Sequence, residues 1–193
     1  MRFKSQYKIC VSGAAAGESL ALSAKKAEEV GKEIAKNKAI LMTGATTGLP
    51  LRASRGAKSA GGLVFGFSPA STKFEHTRKY RLPLDYLDVV VYTGSGYAGR
   101  NLILTRSCDA VIIIGGRIGT LNEFTIAFED RKVIGILDQS GGITQEIRDI
   151  LDIARKGKKH IIFDVHPRRL VKKVIAEIKL ADRHNHAKSR NED

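Results

Sequence analysis

A chain of 193 residues with a 42% hydrophobic fraction has the size and apolar content of one domain with a full core, which excludes a disordered chain. The 33 basic and 20 acidic residues leave a net charge of +13, which favours anionic partners, either phosphorylated metabolites or nucleic acid. The longest clean apolar run, residues 111–114 with Ala110 before it, falls far short of the roughly 20 residues of a membrane span, and residues 1–6 lack the apolar core of a signal peptide, so a cytoplasmic protein is expected.

Along the chain, short β-rich runs alternate with amphipathic helical patterns. Residues 7–12 read as a first strand. Residues 18–37 read as a helix whose Leu20, Ala24, Ala27, Val30 and Ile34 recur at helical spacing. A second strand at 39–43 leads to a short helix, 49–60, stopped by Gly61-Gly62, and a third strand at 63–68 ends before Pro69. Residues 69–87 form a long polar connection without a period, and long loops in compact domains are often functional. A fourth strand at 89–92, a helix at 99–107 and a fifth strand at 110–114 follow; the unbroken apolar run of the fifth implies burial on both faces. Then come a helix at 120–130, a sixth strand at 133–137, a helix at 144–155 with Ile147, Ile150, Leu151 and Ala154 inward, a last strand at 161–163, and a helix at 167–180 with Pro167 in its first turn. The polar tail, 182–193, is expected to be disordered. This alternation implies one α/β domain over residues 1–181, a Rossmann-like three-layer fold with a mostly parallel sheet of about seven strands. Its ligand would sit outside the C-terminal strand ends, at a topological switch point.

Four strands run into glycine-containing turns: Gly13 to Gly17, Gly44 to Gly48, Gly94-Ser95-Gly96-Tyr97-Ala98-Gly99, and Gly115-Gly116-Arg117-Ile118-Gly119-Thr120. Glycine lets a ligand approach the backbone N–H groups, and the helix that follows adds free donors and a positive dipole end. Any one such turn is also what a plain α/β connection looks like. Four at one sheet edge suggest an anion-friendly floor, and Gly13, Gly44, Gly48, Gly94, Gly96, Gly115, Gly116, Arg117, Gly119 and Thr120 are the expected phosphate- or nucleotide-binding residues. Gly94-x-Gly96-x-x-Gly99 matches the dinucleotide fingerprint, but the next strand ends without the acidic residue that would hold a ribose, so a nicotinamide cofactor is rejected and no other cofactor is expected.

Thr120 and Glu123 have the spacing of a capping box, with Thr120 as the N-cap of the helix. The alternative places the Glu123 carboxylate beside the phosphate turn, where it could hold ribose hydroxyls or stabilise positive charge developing on a sugar. Arg100, at the start of the preceding helix, suits bidentate phosphate binding.

Gly115-Gly116-Arg117-Ile118-Gly119-Thr120-x-x-Glu123 resembles the PGGxGTxxE signature of LOG-type proteins, long labelled lysine decarboxylases. Val11-Ser12-Gly13, Thr43-Gly44 through Gly48-Leu49, Gly56-Ala57, Gly61-Gly62 and Gly66-Phe67-Ser68-Pro69 resemble the other glycine segments of that superfamily, and Arg100 falls at the Arg of its RK motif. The superfamily includes phosphoribohydrolases that cleave cytokinin nucleoside monophosphates, molybdenum cofactor carrier proteins and the Rossmann domain of the DNA-processing protein DprA. The resemblance implies Arg100 and Glu123 as a catalytic pair, phosphate at Gly116, Gly119 and Thr120, and a homodimer. Arg117 replaces the second glycine of the signature's GG pair, Gly115 stands at its Pro, and Asn101 stands at the Lys of RK; these departures bring the chain closer to the cofactor-carrier and uncharacterised branches.

Two functional readings follow: hydrolysis of the N-glycosidic bond of a nucleoside monophosphate, or carriage without turnover of a phosphorylated ligand such as molybdenum cofactor or a nucleotide. Nucleic-acid binding ranks third. The charge favours it, with clusters at Arg155, Lys156, Lys158 and Lys159 and at Arg168, Arg169, Lys172 and Lys173, but 6% aromatics and no Trp argue against base stacking on single strands. Cys10 and Cys108 read as reduced core thiols, and the scattered His76, His160, His166, His184 and His186 suggest no metal site.

Overall fold

The computed structural model describes residues 6–189. Seven strands form one sheet: β1 (Lys8–Gly13), β2 (Ile40–Thr43), β3 (Val64–Ser68), β4 (Val89–Tyr92), β5 (Ala110–Ile114), β6 (Val133–Leu137) and β7 (Ile161–Asp164). Their order is β4-β3-β2-β1-β5-β6-β7, and every pair is parallel. The chain winds outward from β1 to β4, crosses back, and winds the other way from β5. The C-terminal ends of β1 and β5 therefore bound the crevice of a Rossmann-like α/β fold.

Side-chain alternation divides the core in two. Ile9, Val11, Ile112 and Ile114 face helices α1 (Glu18–Lys36), α2 (Leu49–Ser59) and α6 (Pro167–Ser189). Cys10, Val111 and Ile113 face α4 (Ile118–Glu129) on the opposite side, in one cluster with Leu104 of α3 (Gly96–Arg106) and Ile147 and Leu151 of α5 (Ile147–Ile153). All of β5 is buried, as its unbroken apolar run requires.

Helices α1 and α2 touch backbone to backbone. A β-carbon at Gly31 would overlap the Ala53 carbonyl, and one at Gly56 would overlap the Glu28 carbonyl. Glycine at both positions is what lets the two backbones come this close.

Several elements differ from the sequence-based expectation. The helix expected from Gly99 begins at Gly96, and the one expected from Thr120 begins at Ile118. The expected helix 144–155 divides into a 3-10 turn, Gly142–Gln145, and α5. The long connection 69–87 contains a π-helical turn, Glu75–Lys79. It is pinned by buried His76, whose Nε2 donates to the Pro83 carbonyl at 3.1 Å, leaving Nδ1 to accept from the Ser68 hydroxyl at 2.8 Å. Helix α6 runs to Ser189, so residues 182–189 of the expected disordered tail are helical, and 190–193 lie outside the described residues. Within this stretch Asp182 lies beside Tyr7, whose phenol is pushed up by burial and by that carboxylate.

Gly31→Ala is expected to force α1 from α2 and cost about 3 kcal/mol, at the upper end of ordinary overpacking. Urea denaturation measures it, and a midpoint unchanged from the parent would contradict the close approach.

Candidate functional site

At the switch point lies a cavity of about 200 Å³. Ser12 and Gly13 reach it from β1, Gly44 from the end of β2, Tyr97, Arg100 and Asn101 from α3, and Arg117, Gly119, Thr120 and Glu123 from α4. Ser12 is there because of strand periodicity. It shares the face of Cys10, and its hydroxyl donates to Glu123 Oε2 on the helix covering that face.

Arg100 and Glu123 are buried, 6% and 7% exposed, and face each other. Arg100 Nη1 stands 3.9 Å from Glu123 Oε1, close enough for attraction and too far for a hydrogen bond. Arg100 Nε has no hydrogen-bond partner. The guanidinium lies on the backbone at Gly44, where any β-carbon would overlap it. Burial pushes the Glu123 carboxyl above the ordinary carboxylate value, and Arg100 and the Ser12 hydroxyl pull it back only in part. The Asn101 amide also belongs to this group: with its nitrogen turned inward it donates to Glu123 Oε1 at 3.2 Å and to the Tyr97 carbonyl at 3.1 Å.

The start of α4 completes the cavity. Arg117 is its N-cap, in an extended conformation and without a side-chain cap, so the amides of Ile118, Gly119 and Thr120 have no intrahelical acceptor. Space beside Gly119 is open. A guanidinium and a bare helix N-terminus together suit an anion, while the Glu123 carboxylate suits hydroxyls or developing positive charge.

The expected glycine floor is only partly present. Gly13, Gly44, Arg117, Gly119 and Thr120 line the cavity with Arg100 and Glu123, whereas Gly48, Gly94, Gly96, Gly115 and Gly116 do not. The Gly115 amide donates to Ser140 Oγ at 2.7 Å, and the Gly116 carbonyl accepts from Ile143 at 3.0 Å, so this pair anchors the loop after β6. Gly116 also makes room for the Thr120 side chain, and Gly48 for the backbone of Ala14 and Ala15. The turn holding Gly94 and Gly96 follows edge strand β4, three positions from β1. It acts at the cavity only by launching α3, which carries Tyr97, Arg100 and Asn101 there. The capping-box alternative also falls: Thr120 sits inside the first turn of α4, and Glu123 is engaged by Ser12.

Sequence reasoning left out Ser12 and Tyr97 as cavity residues, and took Asn101 only as a departure from a motif. Strand alternation could have indicated Ser12; nothing local could have indicated that it meets a residue 111 positions later. Part of the basic C-terminal clusters is neutralised internally, with Arg169 and Lys173 on Asp164 Oδ2 at 2.5 and 2.9 Å and Lys158 on Asp152 at 3.2 Å. Among the described residues no helix is long and apolar enough to cross a membrane, and no group of three or more His, Cys, Asp or Glu side chains could hold a metal ion.

Comparison with known proteins matches residues 6–171 to the SLOG cluster4 family, within the LOG-like superfamily. This chain belongs to the SLOG cluster4 family. A relative in Archaeoglobus fulgidus, described as an uncharacterized protein, is 36% identical over 122 residues, spanning 63% of this chain and 75% of that one. Among solved structures, this SLOG cluster4 protein is similar to the structural-genomics target TM1055, with a TM-score of 0.77 and 25% identity over 89% of this chain and 99% of that one. It is also similar to the molybdenum cofactor binding protein of the phototrophic bacterium Rippkaea orientalis, with a TM-score of 0.71 and 28% identity over 89% and 98% of the two chains.

The state of Glu123 gives a pH test. Its raised folded-state value means the folded protein holds this proton more tightly than the unfolded chain, so the carboxyl costs stability as pH rises above its ordinary value of 4.5. Glu123→Gln removes that cost. Its melting temperature relative to the parent is expected to rise as the pH is raised above that ordinary value, and a pH-independent difference in calorimetry would contradict the burial.

Proposed function

We propose that this SLOG cluster4 protein binds a phosphorylated small molecule of the nucleoside monophosphate type in the switch-point cavity, as a binding or carrier protein. Arg100 carries the reading. Its buried guanidinium is only loosely paired with Glu123 and keeps an unpartnered Nε. Such an arrangement costs folding free energy in the empty protein, and an anion at the cavity would offset that cost. The α4 N-terminus adds backbone donors for the same anion, and Glu123 would accept from ribose hydroxyls. The similarity to a molybdenum cofactor binding protein makes a ligand of that type a second candidate beside nucleotides.

Thermal-shift and calorimetric titration with AMP and related monophosphates are expected to give saturable stabilisation. Arg100→Met is expected to weaken binding roughly 10-fold or more, the scale of a lost charge-assisted hydrogen bond. Gly44→Ala should do the same while the fold persists, because the atoms nearest its methyl all belong to the flexible end of Arg100. Absence of binding to every phosphorylated ligand in the panel would overturn the proposal.

The meeting of Arg100 and Glu123 also favours turnover, since the resemblance assigns catalysis to this pair. Glu123 would stabilise an oxocarbenium-like sugar while water attacks and the base departs. Release of free base from a bound monophosphate, abolished in Glu123→Ala, is the expected result of this reading. Saturable binding without base release would discard hydrolysis and leave carriage.

A further inference from the structure

The Arg100–Glu123 machinery does not account for Tyr97. This ring lines the cavity yet is 51% exposed, a large aromatic face kept open at the mouth of a polar site. It is also held in place. Tyr80 packs against it edge to face, with centroids 5.5 Å apart and planes at 82°. Arg100 approaches the same ring, its Cζ 6.0 Å from the centroid. Tyr80 closes the π-helical turn Glu75–Lys79 of the long connection after β3, which buried His76 fastens to Ser68 and Pro83. The connection thus has a task beyond joining β3 to β4: it sets the plane of Tyr97.

Size gives a second argument. A cavity of about 200 Å³ is smaller than the roughly 300–1,000 Å³ of sites that enclose a drug-sized ligand. With phosphate at the α4 N-terminus and hydroxyls at Glu123, a ligand carrying a ring system must project that ring to the rim. The exposed aromatic surface at that rim is Tyr97.

We infer that Tyr97 is a stacking platform for the planar nitrogen heterocycle, such as a purine or a pterin, of a ligand whose phosphate lies between Arg100 and the α4 N-terminus, and that Tyr80 is its positioning residue. This rests on the phosphate-binding reading above. It makes the site selective for ligands that combine a phosphate with a flat ring over sugar phosphates alone.

The test compares two probes, AMP and ribose 5-phosphate, by calorimetry on the full chain. Tyr97→Ala is expected to weaken AMP roughly 10-fold or more, the scale of one lost base–aromatic stack, and to weaken ribose 5-phosphate, which has no ring to stack, by much less. Tyr97→Trp keeps AMP affinity, and Tyr80→Ala weakens AMP selectively while Tyr97 is intact. Equal weakening of both probes in Tyr97→Ala, or no weakening of either, overturns the platform while phosphate binding stands. Failure of the parent to bind either probe overturns the phosphate reading itself.

Discussion

One buried, half-satisfied ion pair organises this molecule's site. Arg100 and Glu123 are taken out of water but stand 3.9 Å apart, where Coulomb attraction remains and the hydrogen bond is lost. Two charges in that state cost more than a well-formed pair, and far more than an apolar core of equal volume. Such an arrangement persists where surrounding structure enforces it. Here the enforcement is specific. Gly44 leaves the surface on which the guanidinium lies, and Ser12 and Asn101 fix the carboxylate. The pair is held open, and the space between and beside it is the cavity.

The rest of the fold supplies the rigid frame. The reversal of strand order between β1 and β5 opens the crevice, and the alternation of β1 directs Ser12 to the α4 side. The glycine contacts between α1 and α2 bring those helices together on the opposite face of the sheet. Gly115 and Gly116 bind the loop after β6, which steadies the entry to α4. What first looks like four equivalent phosphate turns is a division of labour: some glycines face the switch-point cavity, and others hold the elements that do.

Much of this was legible in the sequence, because strand and helix periodicities are local. The alternation of elements, the α/β fold, the location at the strand ends and the pairing of Arg100 with Glu123 all follow from short-range pattern and the resemblance those patterns carry. Long-range contacts were not legible. Nothing near Gly115 announces that its amide is taken by Ser140, and nothing near Thr120 announces that the helix starts two residues earlier, turning an expected N-cap into a packed residue over Gly116. The connection after β3 lacks a period because separate side-chain contacts, those of His76 and Glu75 among them, hold it rather than a repeating apolar face.

The proposed receptor for an anionic ligand is the Arg100 guanidinium. The most direct measurement follows the Arg100 Nε–H resonance by NMR, assigned by its loss in Arg100→Lys, as inorganic phosphate and then AMP are added. That resonance is expected to shift saturably, with the same midpoint as the amides of Gly119 and Thr120. Saturation at those amides with the Arg100 signal unmoved would contradict it.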